Sequence, residues 1–152
     1  MRLTLRILSL LLVLSVTGTA LGASQRKVPA YEKYIKQYSS LAIQHQKKYR
    51  IPASITLAQG LLESGAGRSE LARKSNNHFG IKCKRNWTGD KVYHDDDAKG
   101  ECFRAYPTVE ASYHDHAEFL DKQPRYDSLF AYSSDDYKSW ARGLKAAGYA
   151  TA

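Results

Sequence analysis

The sequence predicts a mostly helical α+β fold: a helical body carrying a small antiparallel β-hairpin lobe. Two observations lead there. Apolar and aromatic residues recur at helical spacing on both sides of the chain's middle. Between them, "HFGIKCKRNWTGDKVYHDDDAKGECFRAYP" breaks into short β-prone pieces separated by polar turns at Gly89 and Gly100. The chain shows no internal repeat and no long low-complexity tract, and 152 residues suit one domain with a real core.

Residues 1–23 are not expected to belong to that domain. "MRLTLRILSLLLVLSVTGTALGA" has two arginines, an apolar stretch from Ile7 to Val16 and small residues around Ala20 to Ala23, the layout of a secretory signal peptide cleaved near Gly22 or Ala23. The apolar core is too short to span a bilayer, so a stable membrane anchor is not expected. Residues 24–30 read as a linker, and residues 31–152 as the domain.

Within the domain, Tyr31, Tyr34, Ile35, Tyr38, Leu41, Ala42 and Tyr49 predict a first helix. Pro52 fits the first turn of a second helix, with Ile55, Ala58, Leu61 and Leu62 as its buried face and Thr56, Gln59 and Glu63 as a polar stripe. Gly65 and Gly67 end it, and "RSELARKS" predicts a short third helix. The β lobe is expected to use 79–83, 91–94 and 102–105. A further helix follows Pro107, with Thr108 as N-cap and Val109, Tyr113, Ala117 and Leu120 along one face. The last helix is expected from Ser133 or Ser134, with Asp135 and Asp136 in its first turn, to Gly148.

Composition narrows the function. The formal charge is +8, and +6 once Arg2 and Arg6 leave with the signal peptide, which suits an anionic polymer. Export argues against nucleic acid, as does the lack of a basic helix or aromatic ladder. Cys83 and Cys102 form an even pair in an exported chain, which predicts a disulfide closing a loop of about 20 residues. Neither has a nucleophile's setting. His114 and His116 are two apart on a helix and face different ways, and no zinc motif includes His78 or His94, so no metal is expected. Asp95 and Asp97 fit the start of a calcium loop, but Lys99 and Tyr106 stand where further acidic ligands are needed. No cofactor is implied.

Glu63 is the residue whose setting asks for chemistry. An apolar helix lies behind it and a glycine-rich break ahead, a setting that desolvates a carboxyl group and raises its pKa. A general acid protonating a glycosidic oxygen needs such a group. An ordinarily solvated surface glutamate is the alternative reading.

"LLESGAGRSELA", then "NNHFGIK", "FRAYPTVEASYHDHAEFL", "YDSLF" and "AAGYAT" resemble the bacterial glucosaminidase domain, glycoside hydrolase family 73, often labelled mannosyl-glycoprotein endo-β-N-acetylglucosaminidase-like. The resemblance covers about residues 31–152. It implies a lysozyme-like fold with a groove between an α lobe and a β lobe, and cleavage of peptidoglycan glycan strands after N-acetylglucosamine. It places the proton donor on Glu63 and the cleft tyrosine on Tyr149. Asn76, Asn77 and Phe79 match "NNxFG" and are expected to shape the turn between lobes and line the groove. Trp87 and Tyr93 are candidates for stacking on sugars, with packing in a small lobe as the alternative.

Family members are similar in placing a second acid in the β lobe, at a variable position. Asp95, Asp96, Asp97 and Glu101 compete here; Glu101, held beside the expected disulfide and a strand start, is expected to be the catalytic base and to matter more than the three aspartates, with Asp97 expected among the substrate-binding residues. Catalysis assisted by the substrate's N-acetyl group would need no such residue. Members usually continue past "GYAT" into another short helical segment, whereas this sequence stops at Ala152, leaving a truncated or a minimal domain. The expected site is periplasmic or secreted and the expected state monomeric. A muramidase, an amidase and a non-catalytic wall-binding module are the competing functions.

Overall fold

A computed structural model describes residues 27–149, so the expected signal peptide and residues 24–26 of the expected linker lie outside the described residues, while Pro29 and Ala30 of that linker are already helical. The first helix, α1, runs Pro29–Tyr49, with Pro29 in its first turn, Glu32 near its positive end and Lys47 and Lys48 near its negative end. Arg50, in the left-handed conformation at φ 64°, stops it and donates its N–H to Gln46 O. α2 (Ala53–Glu63) follows Pro52 and packs on α1. α3 (Glu70–Ser75) is capped by Ser69, whose hydroxyl accepts from Ala72 N.

The β lobe is a two-stranded antiparallel sheet, β1 (Lys91–His94) and β2 (Glu101–Arg104), in register with Lys91 opposite Arg104 and His94 opposite Glu101. The strand expected over 79–83 is reduced to one bridge between Lys82 and Phe103. Its backbone still joins the sheet edge, through Cys83 N to Cys102 O (2.8 Å) and Arg104 N to Ile81 O (3.0 Å). Cys83 and Cys102 are disulfide-bonded across this join, as expected.

α4 (Val109–Lys122) starts at Thr108, whose hydroxyl accepts from Ala111 N, and buries Tyr113, His116, Ala117 and Leu120. A 3-10 helix (Pro124–Ala131) follows, where the sequence pattern predicts no element; Tyr126 and Leu129, three apart, share its inward face. α5 (Tyr137–Ala146) begins about three residues later than expected, because Asp136 is not in its first turn but caps it, accepting from Ser139 N. Ile51, Ile55, Leu120, Tyr126, Leu129, Trp140 and Leu144 form one core cluster; Tyr34, Leu61, Phe79, Ile81 and Tyr113 form a second, beneath the join between lobes.

The expected face of α2 needs correction at both ends of its polarity. Leu62 is 70% exposed and Ala58 is exposed, whereas Thr56 is buried. The helix lies between α1 on one side and α5 on another, so its covered sector includes part of the expected polar stripe. Leu62 stands at the end that emerges from the core.

Candidate active site

Glu63 is the last residue of α2, and the chain leaves it through three successive left-handed residues, Gly65, Ala66 and Gly67 (φ 57°, 58° and 74°). Ser64, fully buried, fixes this exit: its hydroxyl donates to Gly60 O (2.5 Å) and accepts from Gly67 N (2.7 Å). Glycine removes the Cβ penalty at two of the three positions. The carboxyl group is thus held at a rigid helix end.

The "NNHFG" turn faces that carboxyl group, and Asn77 is its organiser. Buried to 1% exposure, its Oδ1 accepts from Phe79 N (3.3 Å) and Ile81 N (3.1 Å), and its Nδ2 donates to Ile81 O (3.0 Å) and Arg104 O (2.9 Å). Asn76, left-handed at φ 54°, ends α3 and donates its Nδ2 to Tyr106 O. Both shape the turn between lobes; neither lines the cleft beside Glu63. Gly80, at φ 60°, does. A Cβ there would lie 3.5 Å from Glu63 Oε2.

The cleft measures about 440 Å³ and is lined by Glu63, Phe79, Gly80, Asp96, Asp97 and Tyr149, with Lys82, Lys84, Phe119, Arg125 and Tyr126 among its other walls. The residue Glu63 counts as exposed because the cleft is open, yet its carboxyl group is crowded by this lining. Burial is the first cause that pushes its pKa above the ordinary carboxylate value, and the charge of Asp96 is the second. Burial, then the charge of Glu63, holds the Tyr149 hydroxyl protonated well above its usual range. The hydroxyls of Tyr149 and Tyr126 are buried and meet no hydrogen-bond partner among the described residues. Such a group carries a desolvation cost of about 1–3 kcal/mol until a partner satisfies it.

The β-lobe acids separate into two situations. Glu101 accepts from Lys82 Nζ (2.9 Å) and from Ala98 N (3.2 Å); those two hydrogen bonds, in that order, hold its carboxyl below the ordinary range. It is fixed, as its position beside the disulfide leads one to expect, but it does not line the cleft. Asp96 and Asp97 do, lying 3.4 and 2.9 Å from the same Lys82 ammonium. Asp95 instead caps the hairpin turn, accepting from Gly100 N. One oxygen each of Asp96, Asp97 and Glu101 lies within 4.8 Å of the others. Lys82 supplies their counter-charge.

Phe79 enters the cleft and stacks on the His116 ring at 3.9 Å between centroids. His116 is fully buried, and burial lowers its pKa to about 3, so it is neutral; its Nε2 pairs with Gln59 Oε1 at 3.0 Å. His114, as its spacing predicts, faces outward. Trp87 lies away from the cleft, against Tyr106 and beneath the Arg104 guanidinium (4.5 Å to the ring). Tyr93 is 68% exposed on β1, also outside the cleft. Sequence reasoning missed Lys82, Lys84, Phe119, Arg125 and Tyr126. Lys82, Phe119 and Tyr126 had a signal, their places in "NNHFGIK", "FRAYPTVEASYHDHAEFL" and "YDSLF"; Lys84 and Arg125 had none.

A two-lobed α+β body with a protonatable carboxyl group at the base of the cleft between its lobes defines a lysozyme-like glycoside hydrolase. The chain belongs to the glucosaminidase family: the family model, mannosyl-glycoprotein endo-β-N-acetylglucosaminidase, matches residues 39–152. It is 34% identical over 136 residues to the peptidoglycan hydrolase FlgJ of Vibrio parahaemolyticus, covering 82% of this chain and 44% of that protein. It is 37% identical over 118 residues to the exo-glucosaminidase LytG of Bacillus subtilis, covering 69% of this chain and 40% of that protein. The chain thus spans less than half the length of these curated relatives. Among solved structures it is similar to a peptidoglycan hydrolase from Sphingomonas sp. A1, with a TM-score of 0.70, 32% identity and 80% of each chain covered.

Proposed function

We propose that this chain hydrolyses peptidoglycan glycan strands at the bond following N-acetylglucosamine, as an endo-acting glucosaminidase, with Glu63 as general acid. The observation that carries the reading is the Glu63 carboxyl group, raised in pKa and rigidly presented at the base of the cleft beside Gly80 and Tyr149. Its proton passes to the glycosidic oxygen as the C1–O bond breaks, and water completes the break at C1. Tyr149, protonated throughout, has a hydroxyl able to donate to the acetamido group or to the ring substituents at the scissile sugar. Either would satisfy it.

Fixity and access are divided in the β lobe. Glu101 is held but turned onto Lys82, and Asp96 and Asp97 reach the cleft from a more exposed turn. In this reading Glu101 and Lys82 position the turn, and Asp96 or Asp97 takes the proton of the attacking water. Attack on C1 by the substrate's own acetamido oxygen is the alternative route, which leaves all three carboxylates as electrostatic support. Substitution of each acid, assayed on purified sacculi, separates the two.

We further propose that the protein is exported through residues 1–23 and acts in the periplasm or outside the cell as a monomer. No helix among the described residues is long and apolar enough to cross a membrane. The test of the central assignment is Glu63→Gln. Sacculus hydrolysis is expected to fall on the order of 100-fold or more, with circular dichroism and sacculus binding unchanged. A folded variant with full activity would remove Glu63 from its role.

A further inference from the structure

The cationic side chains of the cleft are not equivalent. Lys82 is surrounded by Asp96, Asp97 and Glu101, so the hairpin side carries three carboxylates against one ammonium. Lys84 and Arg125 have no carboxylate partner within salt-bridge distance among the described residues. They flank one aromatic ring on the helical side of the same cleft. Lys84 Nζ lies 5.1 Å from the Phe119 ring centroid, and the Arg125 guanidinium lies 5.8 Å from it and 4.6 Å from that of Tyr126. Lys84 also reaches Gln123 Oε1 at 3.4 Å. These contacts restrain two flexible side chains over a fixed surface, which reduces the ordering cost of binding an anion. A neutral sugar chain has no use for two such charges. A strand bearing carboxylates does.

We propose that Lys84 and Arg125 read carboxylate groups carried by the glycan, resting on the reading of this cleft as a glucosaminidase site. The hairpin side repels such groups and the helical side attracts them, so the charge arrangement also sets which face of the strand turns toward Phe119. Arg125 can hold a carboxylate through two N–H groups, whereas Lys84 acts as a point charge. In a peptidoglycan strand the carboxylates have two sources: the stem peptides, and the lactyl groups left when the peptides are removed.

The test is the double variant Lys84→Gln/Arg125→Gln, compared with wild type on four substrates. They are native strands, strands stripped of peptides by an amidase, native strands whose carboxylates are amidated with a carbodiimide and an amine, and stripped strands amidated likewise. On native strands KM is expected to rise about ten-fold with kcat little changed, because two partly exposed charge contacts are lost. On amidated strands the ratio of variant to wild type should return to about one. On native strands the lactyl carboxyl is bound in the amide to the stem peptide, so a defect there belongs to the stem-peptide carboxylates. A defect that persists on stripped strands shows that the freed lactyl carboxylate is read as well, and one that disappears there confines the contact to the stem peptide. The pair Arg68→Gln/Arg73→Gln, with the same loss of charge outside this cleft, should leave KM unchanged. An equal defect on native and amidated strands, or an equal defect in the Arg68/Arg73 pair, overturns the proposal, as does a native KM matching wild type. If wild type turns over no strand, the hydrolase reading fails instead, and retention of wild type and double variant on native against amidated sacculi still decides carboxylate recognition.

Discussion

Replacing Asn77 with alanine should unfasten the turn that faces the Glu63 carboxyl group, and the cost can be worked out bond by bond. Its amide makes four hydrogen bonds to backbone groups of Phe79, Ile81 and Arg104. Ile81 O keeps a second partner in Arg104 N, so it is not orphaned. The N–H groups of Phe79 and Ile81 each lose their side-chain acceptor inside the second core cluster. At about 1 kcal/mol or more for each buried donor left unpaired, and less for the two carbonyls, the variant should lose about 3 kcal/mol. For a domain of this size that corresponds to a fall in Tm of about 12 °C. Urea unfolding at neutral pH, with the slope unchanged, measures the loss directly. Activity of the folded fraction should also fall, in kcat, because Gly80 is displaced from Glu63. Asn77→Asp keeps the two acceptor positions and loses both donors. Its buried carboxyl faces two carbonyls, so its folded pKa is raised. The folded state then binds the proton more tightly than the unfolded chain, and the deficit should shrink as pH falls through that pKa. A loss below about 1 kcal/mol in Asn77→Ala would refute the claim that this side chain holds the turn.

The disulfide, with a sequence separation of 19, should contribute about 3 kcal/mol; a thiol assay on denatured, non-reduced protein should find no free cysteine, and reduction should lower the Tm. The raised pKa of Glu63 implies activity that falls as pH rises through it, since the acid must be protonated to act. Asp96→Asn removes a like charge, so this alkaline limb should move to lower pH; no movement would show that Asp96 does not act on Glu63. The same raised pKa means that folding favours protonated Glu63, a stabilising contribution present below the unfolded-state pKa and lost as pH rises through the folded one. Glu63→Gln should therefore be more stable than wild type at neutral pH, with the difference vanishing in acid, as thermal melts across pH would show. Among the β-lobe acids, substitution of Asp96 or Asp97 should affect kcat, whereas Glu101→Gln should act through the hairpin, with part of its loss recovered by Glu101→Asp.

Much of the helical body was legible because its signals are local. Pro52 and Thr108 mark helix starts through their own backbone or side-chain chemistry, and apolar spacing identifies the covered face of α4, whereas α1 starts at Pro29, inside the expected linker, and leaves Tyr31 and Ile35 of its pattern exposed. Glu63 was legible for the same reason, since a helix end followed by glycines is written in consecutive residues. Local periodicity was less informative for α2, which is covered on more than one side, so burial of Thr56 and exposure of Leu62 depend on neighbours remote in sequence. The strand expected over 79–83 has β-prone residues, but Asn77 and the left-handed Gly80 bend its backbone into a turn. Lys84, Arg125 and Tyr126 carry no spacing pattern relative to Glu63. Only packing of the 3-10 helix and α4 against the β lobe brings them to one cleft.

The most direct test of the account is chemical identification of the new reducing end after sacculi are digested with the purified protein. Released fragments are reduced with borohydride and sequenced by mass spectrometry, with Glu63→Gln digested in parallel. The account predicts reduced N-acetylglucosamine at the new ends, oligosaccharides of several disaccharides early in the digestion, and no new ends with Glu63→Gln. Reduced N-acetylmuramic acid would identify a muramidase, and free peptides without new sugar ends an amidase. Either outcome, or N-acetylglucosamine ends still produced by folded Glu63→Gln, would contradict it.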